Sequence, residues 1–175
     1  EFFQVINRQG FVEEDDFVNY AVPRLAALPP NIYKIVFREF TGIIDHTDLF
    51  LVLGGNPMVS NGSMMTVPDF AHRVRDLQAR GGTMIVVDPR KTETADVANE
   101  HHFVRPGTDA LLLLAMINVA LGLPTRIADY VDGADDVAAL VADFPPEAVA
   151  PAVGISAADI TSLAERFAGA NSAVA

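Results

Sequence analysis

Two short apolar runs in the middle of the chain have the pattern of strands that are buried on both faces. The first, DLFLVLGG, covers residues 48–55, and the second, TMIVVD, covers residues 83–88. Both runs are continuous rather than alternating, and both end at glycine or a polar residue, which is typical of central strands in a parallel sheet. They therefore predict two parallel strands of one sheet.

The segment between the two runs has the periodicity of a helix. Residues 67–80 place Phe70, Val74 and Leu77 three or four positions apart, so these side chains share one helical face. Pro68 stands near the start and two glycines follow the end, which is the usual asymmetry of helix termini. A strand, a helix and a strand in this order predict a right-handed βαβ unit.

After this unit the pattern predicts one more strand and then mostly helices. The strand is HHFVR, residues 101–105, and the apolar run at 110–123 that follows it is about six residues short of the ~20 needed to span a bilayer. Further helices are predicted near residues 127–131, 134–142, 146–150 and 157–170. The whole pattern predicts an α/β fold, a Rossmann-like three-layer sandwich with a mostly parallel sheet and a helix-rich C-terminal half.

The start of the last predicted helix carries a capping signal. Ser156 precedes the helix, where its hydroxyl can accept a backbone N–H, and Asp159 follows three residues later. After this helix, the sequence NSAVA at 171–175 has the apolar character of a strand that is just beginning.

The sequence pattern predicts a fold for one part of the chain and none for the other. Residues 1–40 stay an unassigned N-terminal segment, whereas residues 41–175 are predicted to form one α/β domain. The N-terminus lacks a basic region followed by an apolar one, so we do not expect a signal peptide. Because the chain starts without methionine and ends in an incipient strand, we expect it to be a fragment of a longer protein.

Composition excludes several classes of site and partner. The formal net charge is −11, which argues against nucleic acid or an anionic membrane as a partner. The chain has no cysteine, so it cannot itself supply disulfides, thiolate metal ligands or a cysteine nucleophile. His101 and His102 point to opposite faces of a strand and cannot share one metal, so no metal ligand is predicted. Neither the glycine-rich dinucleotide fingerprint nor a P-loop occurs.

Three polar corners that follow the predicted strands supply the candidate binding residues. In an open α/β sheet, ligands bind beyond the carboxyl ends of the strands. There, glycines let the backbone approach a ligand, basic side chains can contact phosphate, and a carboxylate can accept two N–H donors from a ring such as guanine. The residues are Gly54, Gly55, Asn56 and Pro57 of the first corner, Asp88, Pro89, Arg90, Lys91 and Thr92 of the second, and Gly107, Thr108 and Asp109 of the third.

Each corner taken alone has an ordinary explanation. Glycine and proline after a strand usually mark a turn, and Asp109 stands close to the N-cap of the helix predicted at 110–121. The combination of hydroxyls, amide, basic groups and carboxylates at three successive strand ends favours a nucleotide rather than a metal.

The same stretches resemble the molybdopterin oxidoreductases of the dimethyl sulfoxide reductase superfamily, which includes formate dehydrogenases and nitrate reductases. The resemblance rests on LVLGGNPMVSN, on the stretch from ARGGTMIVVDPRKTETA to HHFVRPGTDALLLLAMINV, and on the later FPPEAVA and LAERFA elements. It covers residues 42–175, whereas residues 1–40 match nothing in the family. Three motifs in the same order and spacing are specific, although any one of them is not.

The resemblance implies an α/β domain that binds one of two molybdopterin guanine dinucleotides. The first corner would approach the phosphates and ribose, with Asn56 hydrogen bonding, and the second would surround the nucleotide end. Gly107 and Thr108 would complete the site, and Asp109 would read the guanine edge. The family holds molybdenum or tungsten, and in many members an iron–sulfur cluster, through residues elsewhere in the protein. No catalytic residue or metal ligand is therefore implied here, and the partners are the remaining domains of the parent and electron-transfer subunits.

The leading interpretation is a cofactor-binding domain of a formate dehydrogenase- or nitrate reductase-like enzyme, not catalytic by itself. One alternative is a non-catalytic α/β interaction subunit that kept the fold and lost the cofactor, and the intact corners argue against it. The other is an unrelated Rossmann-like enzyme for an adenine nucleotide, and the missing glycine fingerprint argues against that. The parent is expected in the cytoplasm, with the periplasm as the alternative location and no insertion into a membrane.

Overall fold

The computed structural model describes residues 44–60, 67, 69–124 and 133–175, all of which belong to one compact unit. After a helical turn at 44–46, the elements in chain order are β1 (Leu49–Leu53), α1 (Phe70–Ala79), β2 (Thr83–Val87), α2 (Glu93–Val97), β3 (Glu100–His102), α3 (Asp109–Leu121), α4 (Ala134–Val141), α5 (Pro146–Val153), α6 (Ala157–Gly169) and β4 (Ala173–Val174). The unassigned segment 1–40 and the helix predicted at 127–131 lie outside the described residues, so both stay predictions.

The described strands form one sheet in the order β3-β2-β1-β4, and every neighbouring pair is parallel. The central pair runs in register from Leu49 opposite Thr83 to Leu53 opposite Val87. The predicted parallel sheet is confirmed. Its edge strand β3 is shorter than the five residues predicted, because Arg105 donates its backbone N–H to Val153 O of α5 instead of extending the ladder.

The strand side chains alternate between two separate cores, one on each face of the sheet. The first core joins the sheet to α3, α5 and α6, through residues that include Leu51, Ile85, Leu112, Val149 and Ile160. The second joins it to α1 and α2, through residues that include Phe50, Val52, Val74, Met84 and Ala95. Because helices cover both faces, the strands have no polar face, which explains their continuous apolar runs. The predicted three-layer sandwich is confirmed.

Helix α1 buries the face that its periodicity predicts. Phe70, Val74 and Leu77 are all buried, and each contributes on the order of 2 kcal/mol through the removal of apolar surface from water. The turn into β2 is tight, since a Cβ added at Gly82 would lie 2.2 Å from Leu77 Cδ1 and 2.9 Å from Leu77 O. Glycine is therefore required at this position to bring α1 against the sheet.

Helix α3 is apolar on most of its surface but buries only part of it. Leu112, Ala115 and Met116 lie in the first core, whereas Leu113 and Ile117 are exposed. Within the described ranges, no helix combines the length and the apolar character that crossing a membrane requires.

The C-terminal end of the chain folds as its capping signal predicts. Ser156 Oγ accepts the backbone N–H of Asp159 at 3.1 Å and begins α6. After α6, the sequence NSAVA contributes β4, where Ala173 pairs with Leu49 of β1. The chain thus returns to β1 on the side opposite β2, and β4 forms an edge of the described sheet.

Candidate functional site

The parallel sheet brings the carboxyl ends of its strands to one edge, which we call the carboxyl edge. The chain moves outward from β1 to β2 and β3 with α1 and α2 on one face, then returns through α3–α6 on the other face to β4. The strand order therefore reverses between β1 and β4. Such a reversal opens a crevice beyond the strand ends, where open α/β sheets bind ligands. The first corner leaves β1 directly at this point.

The first corner turns sharply beside the end of β2. Gly54 adopts the left-handed conformation with φ 62°, which residues with a side chain rarely adopt. Its backbone N–H donates to Val87 O at 2.9 Å, so the end of β1 is attached to the end of β2. Gly55 follows, and Pro57 is buried. The backbone of this corner is therefore held in place by the sheet itself.

Hydrogen bonds from Asn56 join the first corner to helix α2. Asn56 Nδ2 donates to Glu93 Oε2 at 2.9 Å, and Asn56 Oδ1 accepts the hydroxyl of Thr94 at 2.8 Å. Thr94 Oγ1 in turn accepts the backbone N–H of Met58 at 3.1 Å. The structure thus brings the first and second corners together, as the sequence predicts, but through two residues that the sequence did not single out.

The second corner begins with a buried carboxylate and ends in exposed cations. Asp88 is 6% exposed, and its Oδ1 accepts the backbone N–H of Arg90 at 2.7 Å, which closes the turn around Pro89. Thr92 is buried and caps α2 by accepting the backbone N–H of Ala95. The Lys91 ammonium pairs with Asp96 Oδ1 at 3.0 Å in solvent.

The side chains of Asp88 and Thr92 therefore form hydrogen bonds that stabilise the fold. Asp88 holds the turn and Thr92 holds the helix start. The exposed Arg90 guanidinium, in contrast, makes no hydrogen bond among the described residues. The cation best placed for a ligand phosphate is thus Arg90, with Lys91 beside it.

The third corner is attached to α5 rather than to the other two corners. Arg105 Nη1 donates to Pro151 O at 2.7 Å, and the Thr108 hydroxyl donates to Arg105 O at 2.7 Å. Gly107 takes the left-handed conformation with φ 79°. Thr108 occupies the N-cap position of α3, and Asp109 is the first helical residue, where a negative charge complements the helix dipole.

Asp109 keeps its hydrogen-bonding capacity. Its carboxylate makes no hydrogen bond or ion pair among the residues that the structure describes, and it is half-buried. The third corner follows the edge strand β3, two strands away from the reversal between β1 and β4. A ligand that contacts both the first corner and Asp109 would therefore have to extend along the carboxyl edge.

The two adjacent histidines have different surroundings. His101 Nε2 lies 3.1 Å from Asp88 O, and its ring contacts Phe103 edge to face at 4.4 Å. His102 Nε2 is buried without a hydrogen-bond partner in the described ranges, and Glu100 Oε2 lies 3.7 Å away. In the same ranges, no three acidic or histidine side chains are grouped so as to hold a metal.

Two carboxylates near the strands are kept in their charged form. The hydrogen bond from Asn56 lowers the pKa of Glu93, and the hydrogen bond from Arg166 lowers the pKa of Glu100. Glu93 therefore carries a negative charge beside the first corner at neutral pH. The positive charge of Arg90 also contributes to lowering the pKa of Glu93, so a cation acts electrostatically on this carboxylate beside the first corner.

Sequence reasoning missed helix α2 and with it the roles of Glu93 and Thr94. A signal for the helix was present, since Thr92 is a favourable N-cap residue and Glu93 and Asp96 place acids in the first turn. The pairing of Thr94 with Asn56 carried no such signal, because the two residues lie 38 positions apart.

Comparison with known proteins reveals relatives over most of the chain. Formate dehydrogenase H of Escherichia coli (strain K12) is 32% identical over 155 residues, which cover 86% of this chain and 21% of that protein. A nitrate reductase of Symbiobacterium thermophilum is 30% identical over 138 residues, or 71% of this chain and 18% of that protein. No family model matches the chain.

Among solved structures, acetylene hydratase from Pelobacter acetylenicus is similar, with a TM-score of 0.61 and 27% identity over 81% of this chain and 21% of that one. The chain is a partial homologue of the dimethyl sulfoxide reductase superfamily. It spans about a fifth of the length of these relatives. It thus corresponds to a domain-sized piece of a molybdopterin oxidoreductase-like protein, and the resemblance inferred from the motifs is confirmed. Its extent was predicted too short, because a match over 86% of the chain is longer than residues 42–175 and reaches into the N-terminal segment that was expected to match nothing.

Proposed function

We propose that this chain anchors one molybdopterin guanine dinucleotide of a molybdenum- or tungsten-dependent oxidoreductase. The observation that carries the proposal is the position of the first two corners. The first corner is hydrogen-bonded to the end of β2 and to helix α2, the two elements that flank the second corner, and it lies at the reversal of strand order. This is where an open α/β sheet binds nucleotides.

The side chains along this edge fit a guanine nucleotide. Asn56 retains one N–H and Arg90 retains its whole guanidinium, and both are suitable for phosphate oxygens. Asp109 supplies a carboxylate that can accept two parallel N–H donors, which guanine has and adenine lacks on the corresponding edge. Gly54, with its left-handed backbone, lets the first corner approach the ligand closely.

These residues bind and orient the cofactor and do no chemistry themselves. When bound, the metal centre of the cofactor supplies transfer of an oxygen atom, or of a proton and two electrons. The proposed parent resembles a formate dehydrogenase, with nitrate reductase as the second choice, and acts in the cytoplasm. The remaining domains of that parent and its electron-transfer subunits are the proposed partners.

An NMR titration of the 175-residue chain with GDP, ADP and NAD at equal concentrations tests the proposal. GDP carries the guanine and diphosphate groups of the dinucleotide, whereas the other two compounds carry adenine. We expect GDP alone to shift the signals of Asn56, of the second corner at 88–92 and of the third at 107–109.

The signals of the amino ends of the strands provide an internal control. Thr83 and Asn99 should not shift, because they lie at the opposite edge of the sheet. An equal or stronger response to ADP or NAD would favour the Rossmann-like adenine nucleotide enzyme instead. Silence with all three compounds would overturn a guanine site within this chain.

A further inference from the structure

The orientation of the Asn56 amide is determined by the groups around it. Thr94 contributes two donors to Asn56 Oδ1, its hydroxyl at 2.8 Å and its backbone N–H at 3.3 Å. On the other side, the Glu93 carboxylate can only accept, and it lies 2.9 Å from Nδ2. A flipped amide would oppose its nitrogen to two donors and its oxygen to a carboxylate. One orientation is therefore strongly favoured.

This orientation leaves Asn56 with a single kind of hydrogen-bonding capacity. An amide oxygen has two lone pairs, and both are used by Thr94. The amide nitrogen has two hydrogens, and one of them goes to Glu93. What Asn56 still offers to a ligand is one N–H donor and no acceptor.

The key residue of this arrangement is Thr94, which is fully buried. Its one hydroxyl hydrogen goes to Asn56, and its oxygen accepts the backbone N–H of Met58 at 3.1 Å. Thr94 thus holds the corner on both sides of Pro57. Valine has nearly the same shape but lacks the hydroxyl, so it would remove one of the two donors to Asn56 Oδ1 and the acceptor of the Met58 N–H.

We propose that Thr94 is a positioning residue that makes Asn56 a donor-only group, so that the ligand group bound at the first corner is a phosphate. A phosphate oxygen accepts hydrogen bonds and donates none at neutral pH, whereas a ribose hydroxyl or the Watson–Crick edge of guanine also carries donors, which a donor-only group leaves unpaired. The proposal rests on the proposed function, since it names the part of the nucleotide that meets the first corner. It adds residues 93 and 94 to the site as parts that act through Asn56.

The test compares the affinity of the chain for GDP with its affinity for guanosine, which lacks the phosphates. We expect the wild-type chain to bind GDP about tenfold more tightly or better, as a charge-assisted hydrogen bond predicts. Thr94→Val should reduce this ratio several-fold, because Asn56 Oδ1 loses its shorter hydrogen bond and regains a lone pair for a ligand donor. Thr94→Ser, which keeps the hydroxyl, should restore it. If Thr94 had only a structural role, Thr94→Val would weaken the binding of GDP and of guanosine equally, and the ratio of the two affinities would not change.

Thr161→Val is the control, because it also removes a threonine hydroxyl with an internal bond, here from a half-buried position in α6 where the hydroxyl donates to Ala157 O. It should not change the ratio. Asn56→Asp is a second variant, at a half-buried position. It replaces the remaining N–H with an acceptor and should reduce GDP binding far more than guanosine binding.

The outcomes separate this inference from the proposed function. If wild type prefers GDP and a folded Thr94→Val variant keeps the same preference, the role of Thr94 is wrong and the guanine site stands. Equal wild-type binding of GDP and guanosine would also overturn a phosphate at this corner. If the chain binds neither GDP nor guanosine, the proposed function is overturned, and this inference is overturned as well.

Discussion

The two edges of the parallel sheet carry similar polar residues but use them differently. At the amino edge, where the strands begin, polar side chains are bonded to the backbone of neighbouring elements. At the carboxyl edge, several side chains keep capacity for a ligand. Because both edges belong to one sheet, the difference lies in the loops and not in the strands.

The amino edge shows how completely polar groups can be used inside a fold. Arg80 Nη2 donates to Thr47 O at 2.9 Å, and the buried Thr47 hydroxyl donates to Ser172 O at 3.0 Å. Asn99 Oδ1 accepts the backbone N–H of Met84 at 2.9 Å and Gln78 Nε2 at 3.2 Å. These bonds tie the starts of all four strands together, so the amino edge stabilises the fold.

At the carboxyl edge, internal hydrogen bonds fix the conformation of the loops. Asn56, Asp88 and Thr92 bond within the corners, whereas Arg90 and Asp109 retain unused charged groups among the described residues. The comparison teaches that a polar residue after a strand is a candidate ligand contact only after its internal bonds have been counted. Changes at the amino edge should therefore alter stability, and changes at the carboxyl edge should alter binding.

The largest effect is expected from Gly82→Ala, which lies at the amino edge. The new Cβ would collide with the Leu77 side chain and carbonyl, and such overpacking costs about 1–3 kcal/mol of the free energy of unfolding. Urea denaturation measures this loss. Gly169→Ala is the control, because its Cβ would meet nothing within 4 Å, and it should change stability by less than about 1 kcal/mol. Equal stability of the two variants would contradict the tight turn.

The next effect is expected from Asp109→Ala, at the carboxyl edge. Loss of the carboxylate that accepts the guanine N–H donors should raise the Kd for GDP about tenfold or more. The free energy of unfolding should fall by less than about 1 kcal/mol, since only a favourable helix-dipole contact is lost. Asp135→Ala removes a first-turn acid from α4 in the same way and should leave the Kd unchanged. If both variants bind GDP like wild type, Asp109 does not read guanine.

A smaller effect is expected from the charge at Arg90. Arg90→Ala should weaken GDP binding several-fold, and Arg90→Glu should weaken it further, because repulsion is added to the lost contact. Isothermal titration at low and high salt measures both, and the difference should shrink as salt rises. Arg75→Glu, an exposed change on α1, should have little influence. Identical affinities of the two Arg90 variants would place this side chain away from phosphate.

The smallest effect concerns the pH dependence of stability at the start of β3. Arg166 Nη1 lies 2.8 Å from Glu100 Oε2 and lowers the pKa of Glu100 below its ordinary value of 4.5. The pair therefore stabilises the fold above that pH, and its contribution is lost as the pH falls through the lowered pKa.

Glu100→Gln should remove this contribution. It should cost less than about 1 kcal/mol at pH 7, because the pair is partly exposed, and it should make the decline of stability between about pH 5 and pH 3 shallower. Urea denaturation across this range checks both points, with the exposed Glu165→Gln as the control. An unchanged pH profile would show that the ion pair contributes nothing to stability.

Much of the fold followed from local patterns. The apolar runs at 48–55 and 83–88 gave the central strands nearly to the residue, and Phe70, Val74 and Leu77 gave the buried face of α1. These predictions succeeded for two reasons. A strand that is buried on both faces has apolar residues at every position, and a helix that is buried on one face has apolar residues every three or four positions. The end of β3 was predicted two or three residues late, because a contact with α5 stops the ladder there.

The sequence predicted which residues lie at the candidate site, but it did not predict which hydrogen bonds they make. The corners were visible as glycine, proline and polar residues after strands, and the binding roles of their residues stay predictions. The bonds of Asp88 and Thr92 are local and were missed, whereas the bond between Asn56 and Thr94 could not be predicted. The choice of partner for a polar side chain depends on which loops the sheet brings together.

The sequence by itself determined which segments are strands and helices, and which residues follow the strands, because these properties are encoded by neighbours within a few positions. Only the tertiary structure decided the strand order, the reversal between β1 and β4, and the bond between Asn56 and a threonine 38 positions away. Those features arise from pairing between distant segments, whose energy depends on the packing of both faces of the sheet at once. The same long-range pairing turned one amide at the carboxyl edge into a donor-only group.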